Sequence, residues 1–257
     1  MSEHSFGWLR DLPDQRDRLF AFAPEVGGLP AKVDLRPSEL AGVSDIYDQG
    51  ALSSCVAHAV ARLIEYGYVV KQGRAPLWPS RLFIYWGARE LNGWQGQDAG
   101  SFLRDAIKFT AANGVCPESE WPYDHLDTRV FQKPPDEAYL NAPNFEDIAY
   151  ERVPQSLTAL KSCLVAGSPF VCGFTVYESF DTAAVAATGL VPMPGMSERA
   201  LGGHAAAVVG YDDNSRTGDF LVANSWGPNW GQKGYCWVPY EYFDSPSLAA
   251  DFWRVTL

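Results

Sequence analysis

Two kinds of apolar spacing divide the chain. Apolar residues at Val56, Val60, Leu63 and Ile64 recur at helical intervals and predict a helix over about residues 55–70, with Ser53 or Ser54 as its cap. Leu82, Phe83, Ile84 and Trp86 predict a second helix that starts near Pro79–Ser80. A third runs from an N-cap at Ser101 to Gly114, where glycine suits the left-handed position after a helix, and Ser156–Gly167 repeats that capped pattern. From residue 169 the spacing changes. Residues 170–176, 204–211, 220–223, 235–238 and 251–256 are short apolar or aromatic runs that predict strands, and Asp212–Gly218 is a polar turn between two of them. Residues 1–32 follow neither pattern. Their charge, glycine and proline predict an extended arm before a folded domain at 33–257. A helical first half and a β-rich second half predict an α+β fold of two lobes, about 45–150 and 151–257, with a ligand cleft between them.

Composition narrows the function. Apolar residues at 47% and charged residues at 20% are globular proportions, and 257 residues suffice for a core without disulfides or a structural metal. The net charge of −11 argues against nucleic acid or an anionic membrane as partner, since both reward a basic face. No stretch is apolar for long enough to span a bilayer, and the N-terminus lacks the pattern of a secretory signal, so a cytoplasmic protein is expected. The five cysteines contain no C-x-x-C pair, which leaves no zinc-like spacing; no metal or cofactor is expected. Cys116, Cys163, Cys172 and Cys236 read as reduced core residues.

Cys55 stands apart. It opens a predicted helix, where the dipole and free N–H groups favour a thiolate. Six residues earlier, Gln49 offers a neutral amide donor of the kind a developing oxyanion needs, alongside the Cys55 N–H. The thiol also needs a base, and the chain has four histidines. His4 falls in the arm and His125 in a polar loop, and both are expected at the surface. His58 lies one turn along the same helix, but helical side chains lean back toward the N-terminus, which makes it the weaker candidate. His204, after Gly202–Gly203, opens an apolar strand. Asn224, on the next strand, could accept from its ring, and Trp226 could shield that bond from water.

In chain order, Val33–Arg36, Tyr47–Gly50, Ser54–Cys55, Asp98–Ser101, Asn113–Val115, Trp121–Tyr123, Gly203–Ala205, Asn224–Gly227 and Trp230–Tyr235 resemble a papain-family (C1-type) cysteine peptidase of the compact bacterial kind. The resemblance implies a papain-like fold, with a helical N-terminal lobe and a β-barrel-like C-terminal lobe flanking the active-site cleft. It implies a thiol endopeptidase acting on peptide or protein through a thioester. Cys55 is then the nucleophile, His204 the base and later acid, Asn224 the orienting residue and Gln49 the oxyanion donor. Backbone at Ala99 and Gly100 would pair with substrate, and Trp226 would line the leaving-group side. Asp251 falls near the stretch that closes the second specificity pocket in relatives, where an acid favours lysine or arginine; the plainer expectation is a solvated or strand-capping aspartate.

The chain departs from the family at Leu52, where relatives carry a disulfide cysteine whose partner is also missing here, and at Val56, where they carry a large aromatic. The same triad would serve an acyl or amide transferase, an inactive binding protein that keeps the fold, or an enzyme whose sole substrate is its own arm. The arm is expected to strap the surface in preference to crossing the cleft as an inhibitor.

Overall fold

The computed structural model describes residues 4–22, 28–36, 46–71, 78–126, 128–142 and 148–257. Parts of the expected arm (1–3 and 23–27), the lobe start at 45 and Asp127 lie outside them. Strand β1 (Trp8–Leu9) belongs to the arm, and β2 (Lys32–Asp34) begins the domain. Helix α1 (Cys55–Tyr66) is buried along its whole length and continues into a π-helical turn, Gly67–Lys71. Its N-cap is Ser54, but the side chain makes no capping bond; its Oγ is 2.7 Å from the Tyr123 hydroxyl instead. Helix α2 (Arg81–Glu90) has the expected cap, Ser80 Oγ accepting from Phe83 N. Ser101 proves to lie in a short strand, β3 (Ser101–Phe102), so Phe102 occupies the N-cap position of α3 (Leu103–Asn113) and makes no side-chain capping bond. Gly114 ends that helix at φ 68°, ψ −161°, a conformation open to glycine and outside the left-handed helical region that was expected. Helix α4 (Asp136–Asn141) completes the helical lobe.

The second half alternates β4 (Ala149–Arg152), α5 (Leu157–Val165), β5 (Phe170–Tyr177), α6 (Ala183–Thr188), β6 (Ala200–Asp212), β7 (Asp219–Ala223), β8 (Tyr235–Pro239), α7 (Tyr240–Asp244) and β9 (Ala249–Thr256). All these strands pair antiparallel, in the order β4-β9-β5-β6-β7-β8, with β2 also on β6. Among the described residues β4 and β8 end the sheet and do not pair with each other, so the barrel-like lobe is an open antiparallel sheet.

The two cores explain why these strands read as continuous apolar runs. Along β6, Ala205, Ala207 and Val209 enter the core shared with the helical lobe, and Ala206 and Val208 enter the core on the far face. A strand buried on both sides has no polar face to alternate. The alanines have a second effect: small side chains let α1 lie directly against β6, which places the helix N-terminus beside the strand that carries His204.

Candidate active site

Two loops join the lobes at the cleft. Gln49 N donates to Ser225 O at 2.9 Å and Gly227 N to Tyr47 O at 3.0 Å, so the segment before α1 is stitched to the segment after β7. These bonds bring Gln49, Cys55, His204 and Asn224 together from four places in the sequence. Cys55 opens α1, and its sulfur lies within reach of the backbone N–H groups of Ala205 and of the arm residue Gly7. His204 Nε2 donates to Asn224 Oδ1 at 2.8 Å, and that oxygen also accepts from Ser225 N at 2.8 Å. The His204 tautomer follows: Nε2 carries the proton, and Nδ1 is the free lone pair. Trp226 covers the pair, its ring 5.0 Å from the imidazole centroid and 3% exposed. Gln49 is held by Ser225 Oγ donating to its Oε1 at 2.7 Å, which leaves Nε2 as the outward donor.

The arm lies in this cleft. Gln49 Nε2 donates to Ser5 O at 3.0 Å, and Ser101 N donates to Gly7 O at 2.8 Å. Phe6 stands edge-on to His204 and Trp226, and His4 stacks on Trp226 at 4.7 Å with the rings 2° from parallel. The expected strap over the surface is therefore absent, and His4 is no loose surface residue; His125 is exposed as expected. Strand β1 pairs parallel with β3, Trp8 opposite Ser101. The Trp8 indole rests on Gly173 and Gly203, where an added Cβ would come within 1.9 Å of the ring and 2.3 Å of the Trp8 carbonyl. Trp8 Nε1 donates to Asp251 Oδ2 at 3.2 Å, and that oxygen also accepts from Asp11 N at 2.7 Å.

Asp251 is thus neither solvated nor a strand cap. It is 4% exposed, sits at φ +57° where β9 shifts register against β5, and pairs with Arg152 at 3.2 Å. Around it the arm closes an ionic cluster that sequence reasoning missed. Arg152 reaches Asp11, Asp17 and Asp251, and Arg104 donates bidentately to Asp17 at 3.1 and 2.7 Å. Three acids in a charged arm, Asp11, Asp14 and Asp17, were the available signal, but nothing local showed where their partners lay. Of the other expected substrate contacts, Gly100 is buried at φ +75° with the Gly7 carbonyl where its Cβ would be, whereas Ala99 is exposed.

With the arm docked, Cys55 and His204 are both 0% exposed. Burial pushes the Cys55 thiol up to about 11 despite the helix terminus and neighbouring N–H groups. Burial likewise pulls His204 down to about 4, against the opposing effect of its bond to Asn224. Desolvation wins at both groups, so the pair is neutral: thiol and imidazole. His58 turns its Nδ1 to its own helix, donating to Ser54 O at 2.9 Å.

A family model described as papain family cysteine protease matches residues 29–245. An uncharacterised peptidase C1-like protein of Acanthamoeba polyphaga mimivirus is 36% identical, over 98% of this chain and 86% of its own length. The gut-specific cysteine proteinase of Caenorhabditis elegans is 27% identical, over 85% of this chain and 72% of its own. The crystal structure of xylellain, a cysteine protease from Xylella fastidiosa, is similar at TM-score 0.88 and 39% identity, covering 98% of this chain and 95% of that one. Procathepsin B of Trypanosoma congolense shares the fold at TM-score 0.72 and 20% identity, over 98% and 85%.

Proposed function

The chain belongs to the papain family of cysteine proteases and is a cysteine endopeptidase, and from that premise we propose that Cys55 is its nucleophile, His204 its base and acid, Asn224 the residue that orients the imidazole, and Gln49 the side-chain oxyanion donor. Once the site is hydrated, the Cys55 proton passes to His204 Nδ1, and the thiolate attacks the scissile carbonyl carbon. The oxyanion takes hydrogen bonds from Gln49 Nε2 and the Cys55 N–H. As the C–N bond breaks, Nδ1 returns its proton to the leaving amine. A water then loses a proton to Nδ1, attacks the thioester and frees the thiol. Asn224 keeps Nε2 protonated throughout, so Nδ1 alone carries the moving proton.

The observation that carries this reading is the Ser5 carbonyl accepting from Gln49 Nε2 at 3.0 Å. It stands where a scissile carbonyl would. The arm then runs from this carbonyl toward the pocket that holds Trp8. A substrate whose second residue before the cut fills that pocket runs the opposite way, from pocket to oxyanion donor. The arm is accordingly an inhibitor in this reading and not a substrate: it excludes peptide and, by drying the site, keeps the pair uncharged. Asp251 at the end of that pocket would favour a large second residue with an N–H donor at its tip, such as arginine, lysine or tryptophan.

The test is turnover of a fluorogenic peptide by the full chain carrying Gly7→Ala, whose methyl group would meet Ser53 O at 1.9 Å and so expel the arm. Turnover that appears with Gly7→Ala and vanishes on adding Cys55→Ala supports the assignment. Turnover that survives Cys55→Ala refutes it.

A further inference from the structure

Next to Asn224 lies a cavity of about 10 Å³ bordered by His58, Arg62, Ser225, Tyr47 and Ala205. Two of its side chains present a buried polar atom without a partner: His58 Nε2 and Asn224 Nδ2. Their polarities are complementary. Asn224 Oδ1 is occupied by two donors, His204 Nε2 and Ser225 N, so the amide nitrogen must face the cavity and donate. His58 Nδ1 faces the Ser54 carbonyl, which can only accept, so the ring proton is on Nδ1 and Nε2 carries a lone pair. Burial and the charges of Arg81 and Arg62 keep that imidazole from taking a second proton. A lone donor and a lone acceptor thus border one space about the size of a single water. Leaving both unmade would be costly in a buried site.

We propose that His58 is a positioning residue for the Asn224–His204 pair, its Nε2 accepting a hydrogen bond from Asn224 Nδ2 through one water in this cavity. The His204 and Ser225 N–H groups set the face of the amide, because a flipped Asn224 would point its NH2 at two donors, and the bridge anchors the other end of the amide in that orientation. With the bridge in place Oδ1 stays on His204, Nε2 stays protonated, and Nδ1 stays the basic nitrogen. This role rests on the proposed triad, but its first readout does not depend on turnover.

The chain has four histidines, so 15N-histidine labelling of the full protein yields four resolvable imidazoles. His58 is expected as the Nδ1–H tautomer from pH 4.5 to 8.5, and the His204 Nε2 proton as a slowly exchanging resonance. His58→Leu should speed exchange of that proton at least tenfold; His58→Gln, whose Oε1 can take the place of Nε2, should restore slow exchange. In the Gly7→Ala background, His58→Leu should lower kcat with KM little changed, and should add nothing to Asn224→Ala. A wild-type His58 protonated on Nε2 overturns the proposal even if no variant folds. So does unchanged His204 exchange in a folded His58→Leu, or a loss that adds in full to Asn224→Ala. A Gly7→Ala protein whose Cys55 labels readily but which turns over no peptide, while the exchange results hold, would count against the proposed catalytic assignment alone.

Discussion

Acid should tighten the arm, not release it. Asp11 and Asp17 from the arm meet Asp251 from β9, with Arg152 from β4 and Arg104 from α3 as the cations that contact them. Three carboxylates face two guanidiniums. Asp11 bears most of the imbalance: burial and the charge of Asp251 push its carboxyl up to about 6, although the Trp253 N–H and Arg104 pull the other way. A freed arm would return Asp11 to its ordinary value near 3.8. The docked state therefore holds one more proton between about pH 4 and 6. Because the docked pKa is the raised one, its contribution to docking is complete below about pH 4 and is lost as pH rises through about 6. Two pH units correspond to at most about 3 kcal/mol, or roughly a hundredfold in the docking equilibrium. The Cys55–His204 pair does not offset this. Docked, it holds one proton as thiol and imidazole; released, it holds one as thiolate and imidazolium.

The assay is iodoacetamide labelling followed by peptide mapping from pH 4.5 to 7.5, with Cys116, Cys163, Cys172 and Cys236 as buried controls in the same chain. Cys55 should label tenfold to a hundredfold faster at the upper end, and Asp11→Asn, which mimics the protonated acid, should label slowly and with little slope. Labelling fastest in acid refutes the linkage argument. An equal slope in Asp11→Asn would also refute it, since the rise would then reflect an ordinary thiol ionising.

Trp8→Ala should loosen the arm by about 2–3 kcal/mol, below the usual range of about 3–5 for a buried large aromatic because Trp8 is only half-buried, and should raise Cys55 labelling about 30- to 150-fold without lowering the melting temperature; acceleration at all five cysteines would mean global loosening instead. Gly7→Ala should match or exceed that effect while deleting no contact, because the atom it meets is the Ser53 backbone carbonyl; labelling equal to wild type would show that the arm does not gate the thiol. In the Gly7→Ala protein, Asp251→Asn should erase a preference for arginine over leucine two residues before the cut, since asparagine tolerates φ +57° and removes only the charge; the test is a peptide library, and an unchanged preference would remove Asp251 from specificity.

The elements that could be read from the sequence are those whose reasons are local or periodic. The strands from 170 onward announced themselves because both faces are buried, and Ser80 and Ser156 cap their helices because the groups they satisfy are three residues away. That Cys55, His204, Asn224 and Gln49 come together was expected for another cause: a chain with four histidines offers few partners for a helix-opening cysteine, and the family resemblance singled out these four. Ser54 was misread because its hydroxyl answers to Tyr123, distant in sequence, and no propensity registers that competition.

The arm was unreadable for a more general reason. Its seat is made largely of absent side chains: Gly100 leaves room for the Gly7 carbonyl, Gly173 and Gly203 for Trp8, and Gly7 itself for the Ser53 carbonyl. A glycine in a strand reads as a weak point, and a glycine in an arm reads as slack. Only the fold shows that each gap is filled by the other partner. The same fit sets the chemistry, because a segment close enough to leave Cys55 and His204 dry must also leave them uncharged. Occlusion and chemical silence are then one effect, so a substitution that lets water in at Gly7 should restore the thiolate even before peptide can enter.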